Sequence, residues 1–267
     1  ALEGSSYDLN IKMFNHFQNT VTGWPGGKPG ADDSTRPERK SPNSKRVIIF
    51  SPHPDDDVVS MGGTFDRLVS QGHKVHIAYQ VKGNIAVSDH DALKFIEVSK
   101  DMFKNDSKVL VSELIKELKN NKPDKIDSQA VRDLKGFIRK REAIAATRYF
   151  GIPDSNTHFM NLPFYNTGRI KKNPPTKKDV LITASLIKKI KPHQIFAAGD
   201  LEDPHGTHKV CLDVILDALD ILKGEKFIKD CWLWLYRGAW LDWDVHDIDM
   251  AVPMSPAQVL RKRKAIF

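Results

Sequence analysis

Cysteine is scarce in this chain of 267 residues: Cys211 and Cys231 are the only two. Two cysteines cannot build the disulfide framework on which many small secreted domains depend, and this pair lacks the CxxC spacing of a structural zinc site. We therefore expect two reduced, buried thiols.

Long apolar runs are missing as well. No stretch approaches the ~18 apolar residues that suggest a membrane span. The first ten residues, ALEGSSYDLN, lack the basic and apolar regions of a secretory signal. The hydrophobic fraction of 40% and the charged fraction of 28% are those of an ordinary globular protein. We expect no membrane partner and a cytoplasmic location.

An excess of negative charge is also absent, since 41 Lys and Arg against 34 Asp and Glu give a net charge of +7. Such a balance suits a polyanionic partner or a phosphorylated substrate. The basic residues concentrate in the segment RIKKNPPTKK (169–178), which has no interleaved aromatic residues for stacking on bases. The pattern is typical of a solvated loop and helix end, and we expect no nucleic-acid partner.

Composition divides the chain near residue 45. Residues 20–45 are dense in Gly, Pro, Ser and charge, a mixture that buries too little apolar surface to fold. The preceding stretch, YDLNIKMFNHFQNTV, has the pattern of an amphipathic helix. We predict a leader and linker over 1–45 and one domain over 46–267.

The domain begins with RVIIFSPH, an apolar run without polar alternation that is typical of a strand buried on both faces of a parallel sheet. A helix over 60–71 and a strand over 74–81 complete a βαβ unit. Further helices are predicted over about 89–119, 128–150, 178–190 and 208–222, and further strands over 157–162, 193–198 and 231–238. This alternation predicts an α/β fold: a Rossmann-like, doubly wound and mostly parallel sheet with helices on both faces.

A cluster of polar residues, SPHPDDD (51–57), directly follows the first strand. Open α/β sheets bind ligands at that edge, and a histidine beside carboxylates supplies the ligand types of a catalytic zinc site. The same residues would also suit an acidic helix N-terminus, where Asp side chains cap the helix and interact with its dipole. This cluster alone does not separate the two interpretations.

A second cluster, AAGDLEDPHGTH (197–208), also follows a predicted strand and adds His205 and His208. Two clusters at one sheet edge favour a metal site, in which one of these histidines completes a His/Asp/His triad and the other acts on the substrate. The remaining histidines have no carboxylate at ligand spacing and are expected to be surface or packed residues: His16, His73, His76, His90, His158, His193 and His246. Four tryptophans near the C-terminus could form a wall for a sugar ring, but core packing is expected where they alternate in a strand: Trp232, Trp234, Trp240 and Trp243.

A nucleotide-binding protein is the main competing enzyme class. Its glycine-rich phosphate loop is missing, because the first βα turn carries carboxylates that would repel a pyrophosphate. A non-catalytic module that binds a sugar or a nucleotide on the same fold stays as the alternative.

Three motifs resemble a known family. HPDDD (53–57) resembles the (A/P)HPDDE signature of the PIG-L/LmbE-like N-deacetylases, and PHGTH (204–208) resembles their later HPDH element. Arg139, Glu142, Ala146 and Gly151 fit the family's R-x-x-E-x-x-x-A-x-x-x-x-G helix pattern. The resemblance covers about 46–219. The chain is also similar to the deacetylase-like domain that follows a glucosamine-6-phosphate deaminase domain in some bacterial proteins. This similarity implies an upstream deaminase-like domain as a partner.

The resemblance implies a zinc-dependent hydrolase that removes an acetyl or other acyl group from an N-acetylated amino sugar, phosphorylated or not, or from a related N-acyl glycoside. Zn²⁺ is the implied cofactor, with Fe²⁺ as another divalent candidate. The implied metal ligands are His53, Asp56 and His208, the general base is Asp55, and His205 faces the developing oxyanion. Arg139 falls where the family places a substrate-contacting arginine. Asp57 and Asp203 are expected to hold the metal ligands in position without binding the metal themselves. Asp57 stands where Glu is usual, and Gly206-Thr207 replace Pro-Asp in the later element.

Overall fold

The structure is a computed structural model that describes residues 5, 6, 9, 44–102, 108–121, 125–169, 171–238, 240–250, 252 and 254–266. The predicted leader helix, and nearly all of the leader and linker over 1–45, lie outside the described residues. The proposed domain boundary at residue 46 therefore stays a prediction.

Five parallel strands form the sheet, in the order β3-β2-β1-β4-β5. The strands are β1 (Arg46–Ser51), β2 (Lys74–Tyr79), β3 (Thr157–Phe159), β4 (Gln194–Ala198) and β5 (Trp232–Tyr236). The strand order reverses between β1 and β4, which pair in parallel with Ile48 opposite Ile195. Open α/β sheets place their ligand crevice at such a reversal. The predicted Rossmann-like class is confirmed.

Seven helices lie in the described part of the chain. They are α1 (Asp56–Ser70), α2 (Asp89–Met102), α3 (Lys108–Lys119), α4 (Gln129–Tyr149), α5 (Lys177–Ile190), α6 (Thr207–Leu222) and α7 (Pro256–Ile266). The helical pattern over 89–119 is therefore two helices. Both contribute to a separate small core with α4, in which Ile96 of α2 and Leu118 of α3 are buried.

Strand β1 shows why the opening apolar run has no polar alternation. Ile48 and Phe50 belong to the core on the α5 and α6 side of the sheet, whereas Val47 and Ile49 belong to the core on the α1 side. Successive side chains of a strand point to opposite faces, so both faces of a central strand need apolar residues. Burying each such side chain stabilises the fold by about 1.5–3 kcal/mol.

Helix α1 begins at Asp56, four residues before the predicted start. Asp56 and Asp57 occupy its first turn, where the helix dipole stabilises negative charge. Asp55 stands at the N-cap position but its side chain accepts no capping hydrogen bond. The acidic run therefore lies at the start of the helix, but the Asp55 side chain does not cap it.

Strand β5 lies at the edge of the sheet, and this corrects the packing prediction for one tryptophan. Trp232 is 40% exposed and stacks on Trp234, with ring centroids 5.8 Å apart. An edge strand has a neighbour on one side only, so its alternation does not ensure burial.

Both cysteines are free thiols as expected, although Cys231 is only half-buried. Among the described helices, none is both long and apolar enough to cross a bilayer.

Two of the histidines expected to be surface or packed residues form a pair across β2 and β3. His76 Nδ1 lies 3.0 Å from His158 Nε2, and the two rings are stacked. Burial lowers the pKa of His76 to about 4, helped by the positive charges of His158, Lys74, Arg46 and Lys189. A folded-state pKa below the usual 6.5 means that the unfolded chain binds more protons between about pH 6.5 and 4. The pair should therefore lower the free energy of unfolding as the pH falls through that window.

We predict that His76→Gln makes the free energy of unfolding less dependent on pH between about 6.5 and 4, because the amide keeps a hydrogen bond without titrating. Urea denaturation at a series of pH values measures the slope. His90→Gln, at an exposed position, is the matched control and should keep the wild-type slope. Equal slopes for His76→Gln and the wild type would contradict the prediction.

Candidate metal centre

The candidate site lies at the carboxyl ends of β1 and β4. The chain leaves β1 at Ser51 and reaches His53 and Asp56 by the first residue of α1. It leaves β4 at Ala198 and reaches His208 in the first turn of α6. Because β1 and β4 are adjacent and parallel, these two segments meet at one edge of the sheet.

His53, Asp56 and His208 each offer a ligand atom there, and the three atoms lie within 4.8 Å of one another. Asp56 Oδ2 is 3.1 Å from His53 Nδ1 and 3.2 Å from His208 Nε2. The backbone N–H of His53 also donates to Asp56 Oδ2, at 2.8 Å. Asp56 is therefore the centre of the cluster, with one imidazole on each side.

This donor set fits a divalent metal. Donor atoms bonded at about 2.0–2.2 Å to a tetrahedral zinc ion are roughly 3.3–3.6 Å apart, close to the two distances around Asp56 Oδ2. Two imidazoles and one carboxylate also match the three-ligand pattern of catalytic zinc sites, which keep a fourth position open. The same distances would suit hydrogen bonds to protonated imidazoles, so metal content is the quantity that separates the two states.

Hydrogen bonds set the electrostatics of the cluster. Burial raises the pKa of Asp56, but the hydrogen bonds from His208 and His53 outweigh it and hold that pKa well below its usual range. For His208, burial lowers the pKa and the interaction with Asp56 raises it, with a net rise. The Asp56 carboxylate is thus ionised at neutral pH, the state that a metal ligand requires.

The orientation of His208 is fixed by its neighbours. Its Nδ1 lies 2.9 Å from the carbonyl oxygen of Asp200, which leaves Nε2 facing Asp56. The carboxylate of Asp203 accepts from the backbone N–H groups of Thr207 and His208, at 2.9 and 3.0 Å. Asp203 therefore caps the start of α6 and anchors the residue that carries the imidazole. A backbone partner on the second ring nitrogen is common for metal-binding histidines.

Asp55 lies on the rim of the site, in contact with α4. Its Oδ2 is 2.7 Å from Arg139 Nη2, and Arg139 Nη1 is 2.7 Å from Glu142 Oε2. Both terminal nitrogens of Arg139 are therefore engaged by carboxylates. This arrangement orients Asp55, whereas the substrate contact implied for Arg139 stays a prediction.

Asp57 faces away from the site. It is 1% exposed and accepts a hydrogen bond from the Tyr79 hydroxyl at 2.9 Å, while its backbone N–H donates to Ser51 Oγ at 3.0 Å. Burial raises its pKa to about 7, partly offset by the hydrogen bond from Tyr79. The shorter side chain at this position still ties α1 to the ends of β1 and β2.

A cavity of about 310 Å³ opens onto the three clustered residues. Its wall includes most of the residues that the sequence singled out, namely His53, Asp55, Asp56, Arg139, Asp203, His205 and His208. His205 is exposed on the loop before α6. Asp57 is not among the lining residues. Trp240 is the one member of the tryptophan group at this cavity.

Sequence reasoning missed several lining residues, among them Tyr165 and Lys172. Lys172 belongs to the basic segment that was expected to be solvated, and that expectation is wrong for it. Its ammonium lies 3.8 Å from the centroid of the Tyr165 ring. Neighbouring Lys171 is exposed, as expected. Nothing in the pattern of the segment distinguishes these two lysines.

His246 has neighbouring carboxylates that the sequence analysis did not predict. It lies with Asp244 and Asp247 in a second group of possible ligands, all three exposed on the surface. Exposed groups of this kind are common without a metal. Buried donors with fixed orientations, such as His208, mark the first cluster as the candidate centre.

Comparison with known families identifies the chain. Residues 48–219 match the family model described as PIG-L, GlcNAc-PI de-N-acetylase. The chain belongs to the PIG-L family. The resemblance drawn from its motifs is thereby confirmed, over nearly the same residues. Family membership supports an N-deacetylase acting on a sugar-like substrate.

A curated relative extends this comparison. The chain is 52% identical to a "putative glucosamine-6-phosphate deaminase-like protein" of Bacteroides thetaiotaomicron, over the whole of this chain and 42% of the relative. The chain thus spans less than half of that relative's length.

Solved structures resemble the chain at low identity. The N,N'-diacetylchitobiose deacetylase of Pyrococcus horikoshii has 14% identity and a TM-score of 0.50, with 100% of this chain and 82% of that one covered. At this identity the likeness concerns the fold alone. The 4-carboxy-2-hydroxymuconate hydratase of Pseudomonas putida KT2440 has 17% identity and a TM-score of 0.47, with 83% and 77% covered.

We predict that the protein, loaded with zinc at neutral pH and then dialysed, keeps about one divalent ion per chain. His208→Ala should lose most of it, since two protein ligands hold zinc far more weakly than three. His205→Ala should keep it. Elemental analysis of the three proteins measures the metal. Equal loss in the two variants would make His205 a ligand, and a metal-free wild type would contradict the metal centre itself.

Proposed function

We propose that this protein is a zinc-dependent N-deacetylase that hydrolyses the N-acyl group of an amino sugar or a related N-acyl glycoside. The observation that carries the proposal is the placement of Asp55 beside the His53, Asp56 and His208 cluster on one cavity. A base next to a metal centre is the pairing that amide hydrolysis needs. Membership of the PIG-L family supports the same reaction.

His53, Asp56 and His208 would hold the metal, and Fe²⁺ would suit the same donors. When bound there, the ion supplies a Lewis acid for the amide carbonyl and lowers the pKa of water toward ~7. The protein's own part is to keep Asp56 ionised and His208 aimed by its backbone contacts.

Asp55 would act as the general base. Its carboxylate takes the proton of the attacking water and later delivers it to the departing amine, which leaves as the free amino sugar. Arg139 fixes the position of this carboxylate through the 2.7 Å contact, and Glu142 fixes Arg139 in turn. Restricting a base in this way aligns it with the attacking water before reaction.

His205 would face the carbonyl oxygen as negative charge develops on it. It precedes Gly206, whose φ of +65° is the left-handed conformation that glycine adopts without strain. That turn separates His205 from His208, so two histidines close in sequence can do different work. A donor placed at the developing oxyanion acts mainly in the transition state.

The larger protein context is also a proposal. The similarity to a deaminase-like relative of more than twice the length fits an upstream domain that acts on amino sugar phosphates. A deacetylated amino sugar is the kind of product that a deaminase could then use. The cytoplasmic location stays a prediction.

We predict that Asp55→Asn keeps the metal and lowers turnover by roughly two to four orders of magnitude, the usual contribution of a general base. Release of acetate from a panel of N-acetylated amino sugars, with zinc present, measures turnover. Asp217→Asn, at an exposed position on α6, is the control and should match the wild type.

Two outcomes would contradict this assignment. Loss of metal in Asp55→Asn together with its retention in Asp56→Asn would reverse the two roles. Sugar binding that is unaffected by a chelator, without any acetate release by the wild type, would instead favour a non-catalytic binding module.

A further inference from the structure

Lys172 lies on the wall of the candidate site, although the sequence pattern predicted a solvated position for it. Lys172 lines the same cavity as His53 and Tyr165. The Tyr165 ring is 6.1 Å from the His53 ring and 3.8 Å from the Lys172 ammonium. The ammonium and the candidate metal ligand His53 therefore both approach the same aromatic ring.

Lys172 differs from Arg139, the other Lys or Arg side chain on the cavity wall, in its partners. Arg139 is neutralised by Asp55 and Glu142. Among the described residues no carboxylate pairs with Lys172, whose ammonium donates to the carbonyl oxygen of Arg169 at 2.5 Å and lies over the Tyr165 ring. Within the described part of the cavity, Lys172 is therefore the cation whose charge a ligand could compensate.

Partial burial makes this charge costly. It lowers the pKa of Lys172 to about 8, with no neighbouring negative charge to oppose the shift. The group is still mainly protonated at neutral pH. A buried or half-buried charge is stabilised when an opposite charge approaches it, so a bound anion would gain from this position.

We propose that Lys172 and Tyr165 form a recognition subsite for an anionic substituent, a phosphate or a carboxylate, carried by the amino sugar. This proposal rests on the proposed deacetylase function. Lys172 supplies the charge, and Tyr165 holds the ammonium above its ring face while its ring meets that of His53 at an interplanar angle of 70°. Cation–π contact of this kind fixes the position of an ammonium without cancelling its charge.

The charges around the cavity favour one orientation of such a substrate. Asp55, Asp56 and Asp203 line the part of the wall near the candidate metal. Each of these carboxylates already has a partner, in Arg139, the two imidazoles or the start of α6, whereas Lys172 has no carboxylate partner among the described residues and attracts an anion. The substituent would therefore occupy the Lys172 side and leave the neutral N-acyl group for Asp55. A cavity of about 310 Å³ lies at the small end of ligand pockets, which suits one sugar ring with its substituents.

Binding of deacetylated sugars to the zinc-loaded protein tests the subsite without turnover. The probes are glucosamine, glucosamine 6-phosphate for the phosphate arm, and muramic acid for the carboxylate arm, each titrated by calorimetry. At least one anionic probe should bind roughly ten- to a hundredfold more tightly than glucosamine, the range expected for a charge-assisted hydrogen bond. The arm that shows the preference identifies the anion.

Variants of the two adjacent lysines complete the test. Lys172→Gln should lower the affinity for the preferred anionic probe toward that of glucosamine, which carries no anionic group. Lys172→Arg should keep most of the preference. Lys171→Gln removes the same charge from the exposed neighbour and should behave as the wild type. An unchanged preference in Lys172→Gln, or equal binding of all three probes by the wild type, would overturn the subsite.

The two proposals can fail separately. A preference for an anionic probe that depends on Lys172, with no acetate release from any N-acetylated sugar, would leave the subsite standing and overturn the deacetylase function. Acetate release without any preference for an anionic sugar would support the deacetylase function and overturn the subsite.

Discussion

The pairing of β1 with β4 is the constraint on which the site depends. Those strands are separated by more than 140 residues, yet their parallel alignment puts both carboxyl ends at the point where the strand order reverses. The chain then starts a helix after each strand, and the turn before α1 together with the first turns of α1 and α6 brings His53, Asp56 and His208 together. Apolar burial on both faces of β1 keeps this alignment rigid, because a register shift would move its side chains between the two cores.

Three consecutive aspartates at the start of α1 show how the fold assigns different work to identical residues. Successive helix positions are turned by about 100°, so the three carboxylates point in different directions. Asp56 meets two imidazoles, Asp55 meets Arg139, and Asp57 meets Tyr79 in the core. Of the three, only Asp57 has no imidazole or guanidinium partner, and burial raises its pKa to about 7. The environment of each carboxylate, rather than its chemistry, separates the proposed roles of metal ligand, general base and structural support.

The sequence predicts those features that depend on local pattern. The apolar run of β1, the helix predicted over 128–150 and the two polar clusters after strands each follow from neighbouring residues. Contacts between distant segments could not be predicted: the Arg139 contact with Asp55 and the His76 and His158 pair each join separate elements. Lys172 and Tyr165 are close in sequence, but the pattern does not specify the path of the loop that brings them together. Trp232 shows the same limit, since alternation in a strand does not tell whether that strand lies at an edge.

Anomalous diffraction from crystals of the zinc-loaded protein, recorded across the zinc absorption edge, tests the central claim most directly. The account predicts a peak about 2.0–2.2 Å from donor atoms of His53, Asp56 and His208, with Asp55 near it but not bonded. A peak confined to the exposed group of Asp244, His246 and Asp247, or one bonded to Asp55 in place of Asp56, would contradict it.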